Sequence, residues 1–74
     1  MGSSVYSDTE IKNAFRDAYN FMVKNNKLCV KAEDYTAVLK AARVECNKYK
    51  NSPEAILSKN LLFAVAVSIV DASA

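Results

Sequence analysis

The chain has 74 residues, with ten Lys and Arg against eight Asp and Glu and a net charge of +2. This length allows one domain, residues 1–74. The charge is too balanced to indicate nucleic acid or a membrane as the partner, and we expect neither. With no His and only two Cys, the chain offers neither a metal ligand set nor a disulfide framework, so we expect no metal and no cofactor.

The N-terminal segment, residues 1–6, has no features of a signal peptide, and Tyr6 stands where a myristoylation motif needs Ser or Thr. We therefore expect a flexible segment and a cytoplasmic protein. In that compartment Cys29 and Cys46 stay reduced.

The first predicted helix covers residues 8–24. Ser7 and Glu10 have the spacing of a capping box, in which each side chain accepts a hydrogen bond from the other residue's amide. The positions predicted to be buried recur every three or four residues: Ile11, Ala14, Phe15, Ala18 and Met22. We expect residues 25–27 to end the helix, because Asn tolerates left-handed backbone.

The second predicted helix covers residues 32–50. Its start lacks a good capping side chain, although Glu33 and Asp34 suit the positive end of the helix dipole. Its predicted buried stripe follows the same period: Tyr35, Val38, Leu39, Ala42, Cys46 and Tyr49.

The third predicted helix covers residues 53–71, with Ser52 as N-cap and Pro53 at the first helical position. Nine of the ten residues from 61 to 70 are apolar, so this helix is hydrophobic all round. Ten residues are too few to span a bilayer, which needs roughly 20. A strand over residues 65–70 is the alternative, but no second strand-like segment exists to pair with it.

The third helix has two apolar faces, which implies two sets of partners. One face carries Ile56, Phe63, Val67 and Val70. The other carries Leu57, Leu61, Leu62, Val65 and Ile69, and we assign this second set to the interface of a homo-oligomer. Symmetric closure is expected, since an isologous patch completes itself. The predicted fold is therefore an all-α, up-down-up three-helix unit that assembles through its C-terminal helix.

Few residues point to chemistry. The carboxylates are scattered, and without His neither a cysteine nucleophile nor a metal-assisted reaction is supported, so we expect no enzymatic activity. Asn60 has three interpretations: a solvated edge residue, a register-setting polar pair across a dimer axis, or a ligand-binding amide. The residues that we expect to contact a partner or ligand are Tyr6, Arg16, Tyr19, Lys40 and Arg43.

Four segments together resemble small helical proteins of Gram-positive prophages and mobile elements: residues 14–21 (AFRDAYNF), 33–35 (EDY), 51–53 (NSP) and 61–65 (LLFAV). The resemblance implies a short accessory protein of phage or host, without catalytic residues to assign. We expect a non-enzymatic, homo-oligomeric protein that binds another protein. The alternative is an oligomer that binds a nucleotide or phosphorylated metabolite through Lys40, Arg43 or the helix start at residues 52–54.

Overall fold

The computed structural model describes residues 4–74 and contains three α-helices: α1 (Asp8–Asn25), α2 (Ala32–Asn47) and α3 (Ala55–Ser73). No strand occurs within that range, so the predicted all-α class is confirmed. The expectation of a flexible segment over residues 1–6 lies partly outside the described residues, which exclude 1–3. Residues 4–7 lead into α1 without regular secondary structure.

The capping box predicted at the start of α1 is present. The Glu10 amide donates to Ser7 Oγ at 3.1 Å, and the Ser7 amide donates to Glu10 Oε1 at 2.8 Å. Two of the amides that a helix start leaves unpaired are satisfied in this way.

The end of α1 differs from the expectation. No residue other than Gly has a positive φ angle in the described part of the chain, so the helix does not end in left-handed backbone. Instead the Asn25 side-chain amide donates to the Phe21 carbonyl at 3.0 Å. Of the last carbonyls, which have no intrahelical partner, that of Asn25 accepts from the Lys27 amide at 2.8 Å.

The start of α2 is capped by a residue inside its first turn. The Asp34 carboxylate accepts hydrogen bonds from the backbone amides of Lys31 and Val30, each at 2.9 Å. These two bonds, that from Lys31 foremost, hold the pKa of Asp34 below its ordinary value. The N-cap residue Lys31 itself makes no side-chain cap hydrogen bond, as expected, and the bonds at this helix start come from Asp34 instead.

The connection between α2 and α3 is longer than predicted, because α2 ends at Asn47 and α3 begins at Ala55. Residues 48–54 form successive turns that bury Tyr49 at 8% exposure. Pro53 lies in these turns rather than at the first helical position, and Glu54 occupies the N-cap without a side-chain hydrogen bond.

Helix α3 lies between the other two, packing against both, whereas α1 and α2 hardly touch. At one end, Tyr49 Oη, just beyond α2, is 3.5 Å from the Asn13 carbonyl of α1. At the other end, the Cys29 amide between α1 and α2 donates to Ser73 Oγ at 2.9 Å. Helix α3 therefore runs parallel to α1 and antiparallel to α2, as the predicted up-down-up order requires.

The core is small and is built around α3. Leu62 and Ala66 have no exposed surface, and neither has Ala42 of α2. The buried cluster comprises Phe21, Cys29, Val38, Ala42, Leu62, Ala66 and Ile69. Alanine at the contact lets helices approach closely, while Leu62 and Phe21 supply most of the apolar bulk.

The buried side of α1 is rotated about the helix axis relative to the predicted stripe. Ala14 and Ala18 are buried as expected, but Phe15 is 54% exposed and Ile11 is 40% exposed. The third buried residue of α1 is Phe21, at 4% exposure, which is not part of the predicted stripe. The rotation follows from packing: α1 meets α3 alone, so only one narrow side of it is covered.

Candidate interaction surface

One side of α3 carries a regular apolar stripe that lies beside the buried face and contacts the core cluster at Phe63. We name this stripe the α3 outer face: Ile56, Asn60, Phe63, Val67 and Val70. Ile56 is 65% exposed and Val67 46% exposed, while Phe63 and Val70 are half-buried. Single exposed apolar side chains are ordinary, but an aligned row of them marks an interaction site.

The predicted interface set maps mainly onto the other side of the helix. Leu62 is fully buried and Ile69 is 5% exposed within the single chain, so neither is available to a second copy in this fold. Val65 packs against the same core cluster. Leu57 and Leu61 are half-buried on its margin. The two faces of α3 therefore exist as predicted. Leu62 and Ile69 of the second set supply core, while Ile56 and Val67 of the first set stay exposed and its Phe63 packs against the core cluster.

Asn60 is exposed and lies in the middle of the apolar row. Its side chain makes no hydrogen bond to another residue in the described part of the chain, so the amide can pair with water or with a partner. This position fits two of the three interpretations of Asn60: a solvated residue, and a residue that sets the register of a dimer. It lies outside the lining of the two surface depressions described below.

One flank of α2 extends the α3 outer face. Tyr35 and Cys46 pack against the core cluster, and Leu39 lies between them on the same side of the helix, 39% exposed. Burial raises the pKa of the Cys46 thiol, while the nearby positive charge of Lys59 opposes the shift. Cys46 and Tyr35 of this flank and Phe63 of the outer face all pack against the same core cluster, so this flank borders the outer face.

Neither Cys29 nor Cys46 has the surroundings of a reactive thiol. The raised pKa keeps Cys46 protonated at neutral pH, and Cys29 is buried at 4% exposure. No group of His, Cys, Asp and Glu able to hold a metal occurs among residues 4–74. The chain also contains no His to act as a base beside either thiol.

A groove of about 410 Å³ separates α1 from α2, because both helices pack on α3 and not on each other. Phe21 and Ala41 contribute apolar lining, and the charged lining is balanced: Asp17, Lys24, Glu45 and Lys48. Lys48 and Glu45 pair at 3.0 Å. The sequence analysis did not identify this groove, which depends on how the two helices diverge and has no signal in either helix alone.

Lys40 and Arg43 lie together on the outer side of α2. They line a shallow depression of about 440 Å³ with Leu39, Val44, Thr36 and Asn47. The start of α3 is not part of this depression, so the structure does not join the two elements of the predicted phosphate site. Glu54, buried at the N-cap of α3, adds a carboxylate where an anion would have to bind.

A third exposed row follows α1. Phe15, Tyr19 and Val23 repeat every fourth residue and are 54, 68 and 62% exposed. The groove between α1 and α2 is lined by Asp17 and Lys24, on the other flank of α1, so this row faces away from α2. Of the other predicted contacts, Arg16 is exposed and 3.5 Å from Asp17, and Tyr6 is half-buried.

One polar atom in the core has no partner. Ser58 is 1% exposed, and its Oγ makes no hydrogen bond in the described residues. It lies one helical turn after Glu54, which is itself 7% exposed. No sequence signal marks Ser58 as buried, because serine is mostly exposed in folded proteins.

Helix α3 also meets the length and composition of a membrane-spanning segment. It has 19 residues, whereas the argument from sequence concerned only the ten residues 61–70 and does not apply to the whole helix. About a fifth of its most apolar window, 22%, is buried in this fold. A core helix of a small bundle satisfies the same criteria.

Comparisons of the chain with models of protein families, with curated proteins and with solved structures found no match.

Proposed function

We propose that this protein is a non-enzymatic interaction module that assembles with itself through the α3 outer face and binds another protein through its remaining surface. The observation that carries the proposal is the exposure of Ile56 and Val67 in one row with half-buried Phe63 and Val70. Association removes such surface from water, and the gain is roughly 25 cal/mol for each Å² of apolar area.

A second copy is the partner that this face suits best. A core of this size rarely supplies more than ~3–5 kcal/mol, and small domains without metals or disulfides commonly gain stability by oligomerising. An isologous contact between identical faces also closes on itself, so it leaves no apolar edge to recruit further copies.

The partner protein is assigned to α1. Phe15, Tyr19 and Val23 form an exposed row that faces away from α2, and large aromatic side chains are enriched at protein interfaces. Self-assembly through α3 would present two copies of this row. The resemblance of the sequence to small prophage and mobile-element proteins supports a role as a cytoplasmic accessory factor of such an element.

Binding of a nucleotide or phosphorylated metabolite is not proposed as a second function. Lys40 and Arg43 line a depression without the α3 start, and the groove between α1 and α2 has balanced charges rather than a cluster of cations. Neither arrangement is what phosphate recognition needs.

The test is the solution mass of the wild type and of two matched variants by light scattering over a concentration range. Val67→Asp places a charge on the α3 outer face, and Val44→Asp places the same charge on α2 at similar exposure, 55% against 46%. We expect a wild-type dimer that Val67→Asp converts to a folded monomer and Val44→Asp leaves intact. Circular dichroism checks that both variants fold. A wild-type monomer at every concentration would contradict the proposal.

A further inference from the structure

We infer that α3 pairs with α3 of a second copy in parallel, with Asn60 opposite its counterpart across a two-fold axis. The inference rests on the proposed self-assembly and specifies its geometry. It commits the α3 outer face to one occupant, a second copy of this chain.

The spacing of the outer face is that of a coiled-coil seam. From Ile56 to Val70 the positions alternate by four and three residues: Ile56, Asn60, Phe63, Val67 and Val70. In heptad terms Asn60 and Val67 occupy the a positions, and the other three occupy the d positions. Leu62 and Ile69 belong to the opposite side and serve the core of the chain itself. The seam is exposed at Ile56, Asn60 and Val67 and half-buried at Val70 and Phe63, and Phe63 also packs against the core cluster.

Asn60 decides the orientation. In a parallel pair, a positions face a positions, so two Asn60 amides meet and can hydrogen-bond to each other. An antiparallel pair in which a positions face d positions would set Asn60 against Val70 and Phe63 against Val67; it would bury an amide without a partner and leave Ile56 uncovered. An antiparallel pair centred on Asn60 would match the amides but leave Val67 and Val70 uncovered. Only the parallel pair covers the whole stripe and satisfies the amide.

The face is wide enough for a dimer when the flank of α2 is included. Leu39 borders the stripe at 39% exposure. Helix α3 is about 28 Å long, and two neighbouring helices span about 20 Å, which gives about 550 Å² on each copy and about 1,100 Å² in total. That value lies near the lower limit of stable interfaces, about 1,200 Å². We therefore expect a dimer that dissociates on dilution.

The experiment is disulfide trapping with single introduced cysteines, the native Cys29 and Cys46 being retained. Asn60→Cys and Val67→Cys report the a positions, and Ser68→Cys is the control on an exposed position outside the stripe. Mixing Asn60→Cys with Val70→Cys reports the antiparallel arrangement. Mass spectrometry identifies which cysteines are joined, so bonds through the native thiols are recognised. Far-UV circular dichroism confirms that each variant is folded.

In the parallel pair, Asn60→Cys and Val67→Cys each form homotypic disulfides roughly tenfold or more faster than Ser68→Cys, because pairing raises the effective thiol concentration. A mixed bond between Asn60→Cys and Val70→Cys that forms faster than the homotypic bonds would overturn the orientation. Equal rates at positions 60, 67 and 68 in a dimeric protein would overturn the assignment of the face.

Measurements on the wild type separate this inference from the proposed function. A dimer in solution without the homotypic bonds refutes only the parallel geometry. A monomer at all concentrations refutes both statements. A monomer that floats with phosphatidylcholine vesicles also refutes both and assigns the apolar face of α3 to a bilayer. A wild type that stays in the aqueous fraction as a dimer supports a second copy as the occupant.

Discussion

The backbone amide of Cys29 donates a hydrogen bond to Ser73 Oγ at 2.9 Å, across 44 residues of sequence. Ser73 in turn donates to the Ile69 carbonyl at 2.8 Å. The connection between α1 and α2 is thereby tied to the last turn of α3. Cys29 itself is 4% exposed, so its amide has little access to water and depends on this one acceptor.

Ser73→Ala should destabilise the protein by about 1–2 kcal/mol, because it leaves the Cys29 amide buried and unpaired. Ser68→Ala is the matched control: Ser68 also donates to the carbonyl four residues earlier, at 2.8 Å, but it is exposed and accepts from no remote group. We expect a change below about 0.5 kcal/mol for the control. Urea unfolding followed by circular dichroism measures both. Equal effects of the two substitutions would show that the Cys29 contact contributes nothing.

Ser58→Ala should leave stability unchanged or raise it by up to about 1 kcal/mol. The substitution removes a buried hydroxyl without a partner and introduces a better helix former. The measurement is the urea midpoint at constant slope. A loss of more than about 1 kcal/mol would mean that the Ser58 hydroxyl has a partner in solution, since deleting a satisfied buried group carries that cost.

Leu62→Ala should cost about 2–5 kcal/mol, since Leu62 has no exposed surface and its removal leaves a cavity beside Ala66 and Ala42. Leu28→Ala makes the same chemical change at 70% exposure, and we expect little effect. Chemical unfolding at a fixed protein concentration measures both. If Leu62 belonged to a subunit interface rather than to the core, the loss for Leu62→Ala would vanish at concentrations where the wild type is monomeric.

Stability should depend on the ionisation of Asp34 at acid pH. Its folded pKa is lowered by hydrogen bonds from the Lys31 and Val30 amides, so the folded state binds fewer protons than the unfolded state near the ordinary pKa. The stabilisation is therefore complete above that ordinary value and is lost as pH falls through the lower, folded value. Thermal unfolding of the wild type and Asp34→Asn from pH 7 to pH 2 checks this. The difference between them should shrink toward the acid end, and a constant difference would contradict the assignment.

Asn60→Val should strengthen the dimer and weaken its preference for one orientation, because a polar a position selects register at a cost in stability. We expect a lower dissociation constant by light scattering and, in an Asn60→Val background, appearance of mixed disulfides between Val67→Cys and Phe63→Cys. Unchanged association with a single orientation would show that Asn60 is a solvated edge residue.

Local sequence signals correctly predicted the features that depend only on residues close together in the sequence. The capping box of Ser7 and Glu10 lies where the spacing predicted, and all three helices exist near their predicted limits. The predicted helix ends were wrong where the end depends on more than the preferences of the local residues. Pro53 suits a first helical position but lies in a turn. Helix α1 ends without the left-handed residue expected at 25–27.

The sequence by itself determined the number, order and type of elements, because helix period, capping spacing and the lack of strand partners are properties of short segments. It also determined that α3 has two apolar faces. Only the tertiary structure decided which face is internal. Leu62 and Ile69 entered the core and Ile56 and Val67 stayed outside, since α1 and α2 approach α3 from one side and periodicity carries no information about the direction of that approach.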